Sequence, residues 1–309
     1  MERLAGRTCP ADYAYGARAL ARAAELRVDS LWVAGGLYGN TFALQALLEA
    51  FAQEPGSKAL VFNGDFHWFD ISARDFSAVN EAVLAHRATR GNVETELARR
   101  LAEAGCGCGY PQWVDDATVA RSNLIIERLR ATARHFPQAL AGLGALPMHL
   151  RVDVGGIRVA VVHGDADSLA GWHFSQETLA TPEGVRGAQA RFAEAQVDIF
   201  ASSHTCLPVL QRFDTRRVVV NNGSAGMPNF SGDLDGLVTR IALAPSQDAL
   251  YGCRLGEVCV EALALRYDVQ GWQRRFLQQW PAGTEAHASY YARISNGPSY
   301  TRAQALRVS

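Results

Sequence analysis

Four residues of this chain stand out by type and setting: Asp65, Asn92, His163 and His204. Each follows a short apolar run or sits in a tight turn, in Gly64-Asp65, Gly91-Asn92, His163-Gly164 and Ser203-His204-Thr205. In open α/β sheets, sites form beyond the carboxyl ends of the strands. If these turns converge, they offer a carboxylate, an amide oxygen and two imidazoles, a donor set suited to Mn, Fe or Zn. Singly, each residue has an ordinary explanation, because Asp and Asn favour turns and an isolated histidine is commonly structural. The shared setting is what raises the four together.

The elements that would position them can be read in order. Residues 11–27, rich in Ala, Leu and Arg, predict a helix. The run Leu31-Trp32-Val33-Ala34 stops at Gly35-Gly36 and predicts a buried strand. Asn40-Thr41 can cap a helix whose apolar face is Phe42, Leu44, Leu47, Leu48 and Phe51. After the Pro55-Gly56 break, Leu60-Val61-Phe62 predicts a second strand ending at Asn63-Gly64-Asp65. This β-α-β order implies a parallel sheet. Residues 151–154 and 157–162 predict a hairpin about Gly155-Gly156, and 197–201 and 217–221 predict further strands of a second sheet. The segment at about 106–136, a Cys-Gly-Cys-Gly-Tyr-Pro loop and then a helix over 118–134, reads as an insertion at the loop edge. The stretch from about 268 reads as a C-terminal extension of a single domain spanning 1–309.

Bulk properties narrow the function classes. The chain has 309 residues, 48% of them hydrophobic, and a formal net charge of -1. That balance gives no strong nucleic-acid signal and no general hold on anionic lipid. No apolar run is long enough to span a bilayer. The start, Met1-Glu2-Arg3, lacks an apolar signal-peptide core, so a cytoplasmic location is expected. The six cysteines are scattered and are expected to be free thiols in a reducing compartment.

The order Gly-Asp, Gly-Asn, His-Gly and a Gly-His-x-His-like turn resembles the calcineurin-like metallophosphoesterases. Thr89-Arg90-Gly91-Asn92-Val93-Glu94 is similar to the family's Gly-Asn-His/Cys-Asp/Glu segment. Val161-Val162-His163-Gly164 after the Gly155-Gly156 hairpin is similar to a stretch in small bacterial phosphodiesterase-like members. Asn221-Asn222-Gly223-Ser224-Ala225-Gly226-Met227-Pro228 resembles their Asn-Pro-Gly-Ser-x-Gly-x-Pro ending. The resemblance covers roughly residues 30–230. It implies a four-layer αββα sandwich of two mixed β-sheets, with metal at the loop edge.

In that family two ions share one Asp, which Asp65 matches. Asn92, His163 and His204 match the remaining ligands of one site. The other site departs from the pattern: Gly36 and Tyr38 stand where an Asp-x-His turn is usual, and Cys206 stands at its last His. Val93 stands at the usual catalytic His. The resemblance therefore implies one divalent ion rather than two, and a water activated by it attacking a small-molecule phosphoester, a diester or a monoester.

His67, two residues past Asp65, is a candidate replacement acid, or else a member of the aromatic loop Phe66-His67-Trp68-Phe69. Cys206 and Tyr38 are candidate replacement ligands, with Cys106 and Cys108 able to reach in from the insertion. Their plain alternatives are a small buried thiol and a hydrogen-bonded ring. Asn222 and Gly223 could contact an anionic substrate. Asp165 and Asp167 could orient ligands, and Trp172 and His173 could line a pocket. The alternative to a hydrolase is a non-catalytic scaffold that binds a ligand or partner.

Overall fold

The structure, a computed structural model, describes residues 5–99 and 104–308; the reading of Met1-Glu2-Arg3 lies outside them. The strands are β1 Leu26–Val28, β2 Ser30–Ala34, β3 Lys58–Asn63, β4 Arg87–Thr89, β5 His149–Val154, β6 Ile157–Val162, β7 Ile199–Ser202, β8 Val209–Arg212, β9 Val218–Asn221, β10 Gly236–Ala242, β11 Ala249–Leu255, β12 Val258–Leu265 and β13 Leu306–Arg307. The helices are α1 Thr41–Ala52, α2 Ala73–Leu84, α3 Asn92–Ala98, α4 Asp116–Ala133, α5 Pro137–Ala145, α6 Pro182–Ala195, α7 Val269–Gln279, α8 Glu285–Asn296 and α9 Arg302–Ala305.

Two mixed sheets form. One runs β11-β12-β10-β2-β3-β4, the other β1-β5-β6-β7-β9-β8-β13. Side-chain alternation explains the layering, because successive residues of a strand point to opposite faces. Leu31 and Val33 of β2, Val61 of β3, Val159 and Val161 of β6, Ile199 of β7 and Val218 and Val220 of β9 meet between the sheets. Their neighbours Trp32, Leu60 and Phe62 face outward, where α1, α2, α4, α7 and α8 supply Leu47, Phe76, Ile126, Trp272 and Ile294. On the far side, Ala160, Val162, Phe200 and Val219 pack under Ala188 and Phe192 of α6. The result is the αββα sandwich. Each fully buried aliphatic side chain contributes about 1.5–3 kcal/mol.

Local chemistry starts and stops the elements as the sequence suggests. Asn40 caps α1 by accepting from the N–H groups of Phe42 and Ala43, at 3.1 and 3.0 Å. Asp115 caps α4 by accepting from Thr118 N at 2.8 Å. Gly155 and Gly156 turn the β5–β6 hairpin with φ of 57° and 81°, values that glycine adopts without strain.

The expected helix over 11–27 is not formed. Ala11–Tyr13 and Ala17–Leu20 are single 3₁₀ turns, and β1 follows. The N–H groups of Tyr15 and Gly16 bond the Asp167 carbonyl at 2.9 and 3.0 Å instead of closing helical rings, and Gly16 sits at φ 72°. Strands β10, β11 and β12 form an antiparallel run that returns to the first sheet beside β2. The tail beyond 268 is ordered structure: α7 and α8 cover the first sheet, and β13 pairs in parallel with β8 at the edge of the second. Not all cysteines are free, since Cys106 and Cys108 are joined as a disulfide. Among the described residues no helix is long and apolar enough to cross a membrane.

Candidate metal centre

Asp65 follows β3 and Asn92 follows β4, so the first sheet brings two of the four residues to its loop edge. His163 follows β6 and His204 follows β7, so the second sheet brings the others. All four are at most 5% exposed. One atom each from Asp65, His163 and His204 lie within 4.8 Å of one another. His163 Nε2 is 3.3 Å from Asp65 Oδ2, 3.2 Å from Asn92 Oδ1 and 3.2 Å from His204 Nδ1.

Hydrogen bonds on the outer side of each group fix what faces inward. His163 Nδ1 lies 2.8 Å from the Asn63 carbonyl, which only accepts, so this nitrogen carries the proton and Nε2 presents its lone pair. His204 Nε2 donates likewise to the Cys108 carbonyl at 2.9 Å, turning the Nδ1 lone pair inward. The Asn92 amide N–H₂ donates to the Cys106 carbonyl at 2.9 Å, which leaves Oδ1 facing His163. With both rings neutral, four acceptor atoms converge with no donor among them. A divalent cation satisfies such a set, and its oxygens and imidazoles fit Mn, Fe or Zn.

Charge couples the three titratable groups. Burial works against charge on His163, but the adjacent Asp65 carboxylate prevails and raises its pKa. Burial, then the neighbouring His163, push His204 down to about 4. Burial opposes ionisation of Asp65, but His163 outweighs it and holds the carboxyl below its usual value.

Glu94 builds the turn that carries Asp65. Its fully buried carboxylate accepts from the N–H groups of Asp65 and Gly91, both at 2.8 Å, through Oε2. Through Oε1 it accepts from Phe66 at 3.0 Å and His67 at 3.4 Å. Burial and then the Asp65 charge raise its pKa. The sequence carried a signal for this role, a Glu three residues after the residue preceding a helix. Asp65, Tyr38 and Cys206 have φ of 52°, 56° and 63°. Such backbone costs about 1–3 kcal/mol per residue and concentrates at functional sites.

The second-site positions are filled rather than rebuilt. A Cβ on Gly36 would lie 2.9 Å from the Tyr38 ring, so that ring occupies the space a ligand at position 36 would need. The Tyr38 hydroxyl meets Cys206 Sγ at 2.8 Å. Burial pushes the Cys206 thiol pKa up, away from thiolate. Tyr38, Cys206, Val93, Trp68, Tyr110, Trp172 and Tyr290 wall a small cavity of about 40 Å³ over Asp65, Asn92 and His204. That is room for a few water molecules.

Several expectations need correction. His67 is fully buried, stacks on Phe76 with ring centres 4.3 Å apart and bonds Asp70 through Nδ1 at 2.6 Å. It is not among the residues that line the cavity. Asn222 is buried, and its amide N–H₂ donates to the carbonyls of Gly35 and Leu237, at 3.0 and 2.9 Å. Its Oδ1 accepts from Ser203 Oγ at 2.8 Å. The Gly223 N–H is taken by Asn221 Oδ1 at 2.8 Å. Both residues therefore hold strand ends together rather than meeting an anion. Asn63 belongs to the same seam, donating to the Val162 carbonyl at 2.7 Å and to Ser203 Oγ at 2.9 Å. Asp165 clamps its own loop through the N–H groups of Asp167, Ser168 and His173. Trp172 lines the cavity and His173 does not.

No family model matches the chain, and no curated protein sequence matches it. Solved structures do. A metallophosphoesterase from Sphaerobacter thermophilus aligns with a TM-score of 0.57 over 88% of this chain and 100% of its own, at 18% identity. A hypothetical protein from Pyrococcus horikoshii aligns with a TM-score of 0.59 over 89% of this chain and 100% of its own, at 14% identity. Likeness at such identity speaks for architecture, and on that ground the chain has the metallophosphoesterase fold.

Proposed function

We propose that this protein is a metal-dependent phosphoester hydrolase using one divalent ion held by Asp65, Asn92, His163 and His204. The observation that carries the reading is the inward convergence of four acceptor atoms, each aimed by a bond on its outer side. When bound, a divalent ion polarises a phosphoryl oxygen and makes water a stronger acid near neutral pH. The chain's own residues hold that chemistry in place. Asp65 keeps one oxygen on the Val93 N–H at 3.2 Å and turns the other to the centre. The rings of Trp68, Tyr110, Trp172 and Tyr290 line the half-open mouth of this cavity and would offer apolar surface to an ester's organic group. The Tyr38 ring, seated against Gly36, favours one ion over two.

A binding-only scaffold is the second reading. It is favoured by the burial of His67 and by Val93, which leave His204 as the one imidazole among the described cavity-lining residues. Metal analysis and hydrolysis of bis(4-nitrophenyl) phosphate with added Mn²⁺ separate the two. The hydrolase reading expects one ion per chain and Mn²⁺-dependent turnover, with both lost in Asp65→Ala. An ion bound without turnover over a broad ester panel selects the scaffold. No ion uptake overturns the site itself.

A further inference from the structure

We propose that Cys106 and Cys108 form a reversible redox site that controls ion affinity, because their own carbonyls aim two of the four ligands. This rests on the ion-binding reading above. The Cys106 carbonyl takes the Asn92 amide at 2.9 Å, and the Cys108 carbonyl takes His204 Nε2 at 2.9 Å and the Trp172 indole N–H at 3.0 Å. The loop between them is made to turn tightly. Gly105, Gly107 and Gly109 alternate with the cysteines at φ of 63°, 67° and 60°. A side chain at Gly107 would run into the Tyr13 hydroxyl and Glu96.

The bridge is poorly placed to be a structural staple. Its cysteines are two residues apart, and closing so short a loop removes little freedom from the unfolded chain. The Cα atoms lie 5.4 Å apart, within the span a disulfide bridges. What the bridge does constrain is the relative position of the two carbonyls that orient Asn92 and His204. Cys106 is fully buried, whereas Cys108 stands on the cavity wall, so attack comes at Cys108. The thiolate of a dithiol reductant bonds to Cys108 Sγ. The Cys106–Cys108 bond breaks, and its electron pair leaves on Cys106 Sγ, which takes a proton. The reductant's second thiol then displaces Cys108 as a thiol and closes its own disulfide. With the ring open, the two carbonyls are no longer tied, and the amide and imidazole lose their shared support. Loss of partners of this kind costs about 10–100-fold in metal affinity.

The test is calorimetric titration of the full chain with Mn²⁺, as oxidised protein and after reduction with dithiothreitol and desalting under nitrogen. Alkylation under denaturing conditions verifies the states, labelling four of the six thiols when oxidised and six when reduced. The expected result is a Kd that rises about 10–100-fold on reduction. Cys106→Ser should bind like reduced wild type and ignore the reductant. Cys9→Ser, at an exposed thiol, should keep the full response. The wild-type comparison stands without any variant. Equal Kd in both states overturns the redox site and leaves the ion site intact. No Mn²⁺ uptake in either state overturns both.

Discussion

Glu94→Gln isolates the clamp beneath Asp65. The carboxylate takes two N–H groups on each oxygen, those of Asp65 and Gly91 at 2.8 Å on Oε2. An amide has one accepting oxygen, so its N–H₂ must face a pair of N–H donors. If it turns to keep the shorter pair, the bonds from Phe66 and His67 are lost. Hydrogen bonds to a charged group are worth about 1.5–3 kcal/mol each, so two lost bonds cost about 3–6 kcal/mol. That is a large share of the roughly 5–15 kcal/mol that holds a domain folded. Urea unfolding at pH 8, followed by tryptophan fluorescence and extrapolated linearly, reads the loss directly. With a slope of about 3 kcal/mol per molar urea, the midpoint should fall by about 1–2 M. A midpoint within about 0.3 M of wild type refutes the reasoning, because it means that the buried group is not acting as an ionised fourfold acceptor.

Further outcomes follow from the same geometry. Gly36→Asp should lower the melting temperature, since it puts a side chain at φ 65° against the Tyr38 ring, and left-handed backbone alone costs about 1–2 kcal/mol. Adding Tyr38→His and Cys206→His removes the obstruction and should raise ion stoichiometry from one to two, read by metal analysis. Asp198→Asn should destabilise the protein by about 1–2 kcal/mol at pH 7, a value reduced because the Arg158 partner is half exposed. Burial opposes the Asp198 charge, but Arg158 outweighs it and lowers the carboxyl pKa. A lowered pKa contributes stability that is full above the unfolded value of about 3.9 and is lost as pH falls through the folded value. The gap between the two chains in urea midpoint should therefore shrink below about pH 4.

Much of the architecture was legible because it rests on local chemistry. The Asn40 cap, the Gly155-Gly156 turn and the apolar runs of β2, β3, β6 and β7 each announce their element within a few residues. The four candidate ligands were legible for the same reason, as polar residues at the ends of those runs. What the sequence hid depended on distant partners. The segment 11–27 has a helical composition, but two of its N–H groups are claimed by the Asp167 carbonyl. His67 looked available beside Asp65 until packing against Phe76 and the bond to Asp70 turned it inward. Asn222 and Gly223 carry an anion-binding look, yet their polar groups are spent on neighbouring backbone and side chains. Cys106 and Cys108 matter through their carbonyls, a contribution that residue type does not encode.

The polar seam of Asn63, Ser203 and Asn222 has a kinetic corollary. It fastens the loop edges of the two sheets to each other with side-chain bonds that involve no ligand atom of the centre. Because each sheet contributes half of the candidate ligands, their spacing is inherited from this fastening. At the proposed centre, capture should then need only the stripping of water from the incoming ion, with no rearrangement of the chain. Chelation should correspondingly empty the centre while the sandwich around it stays standing.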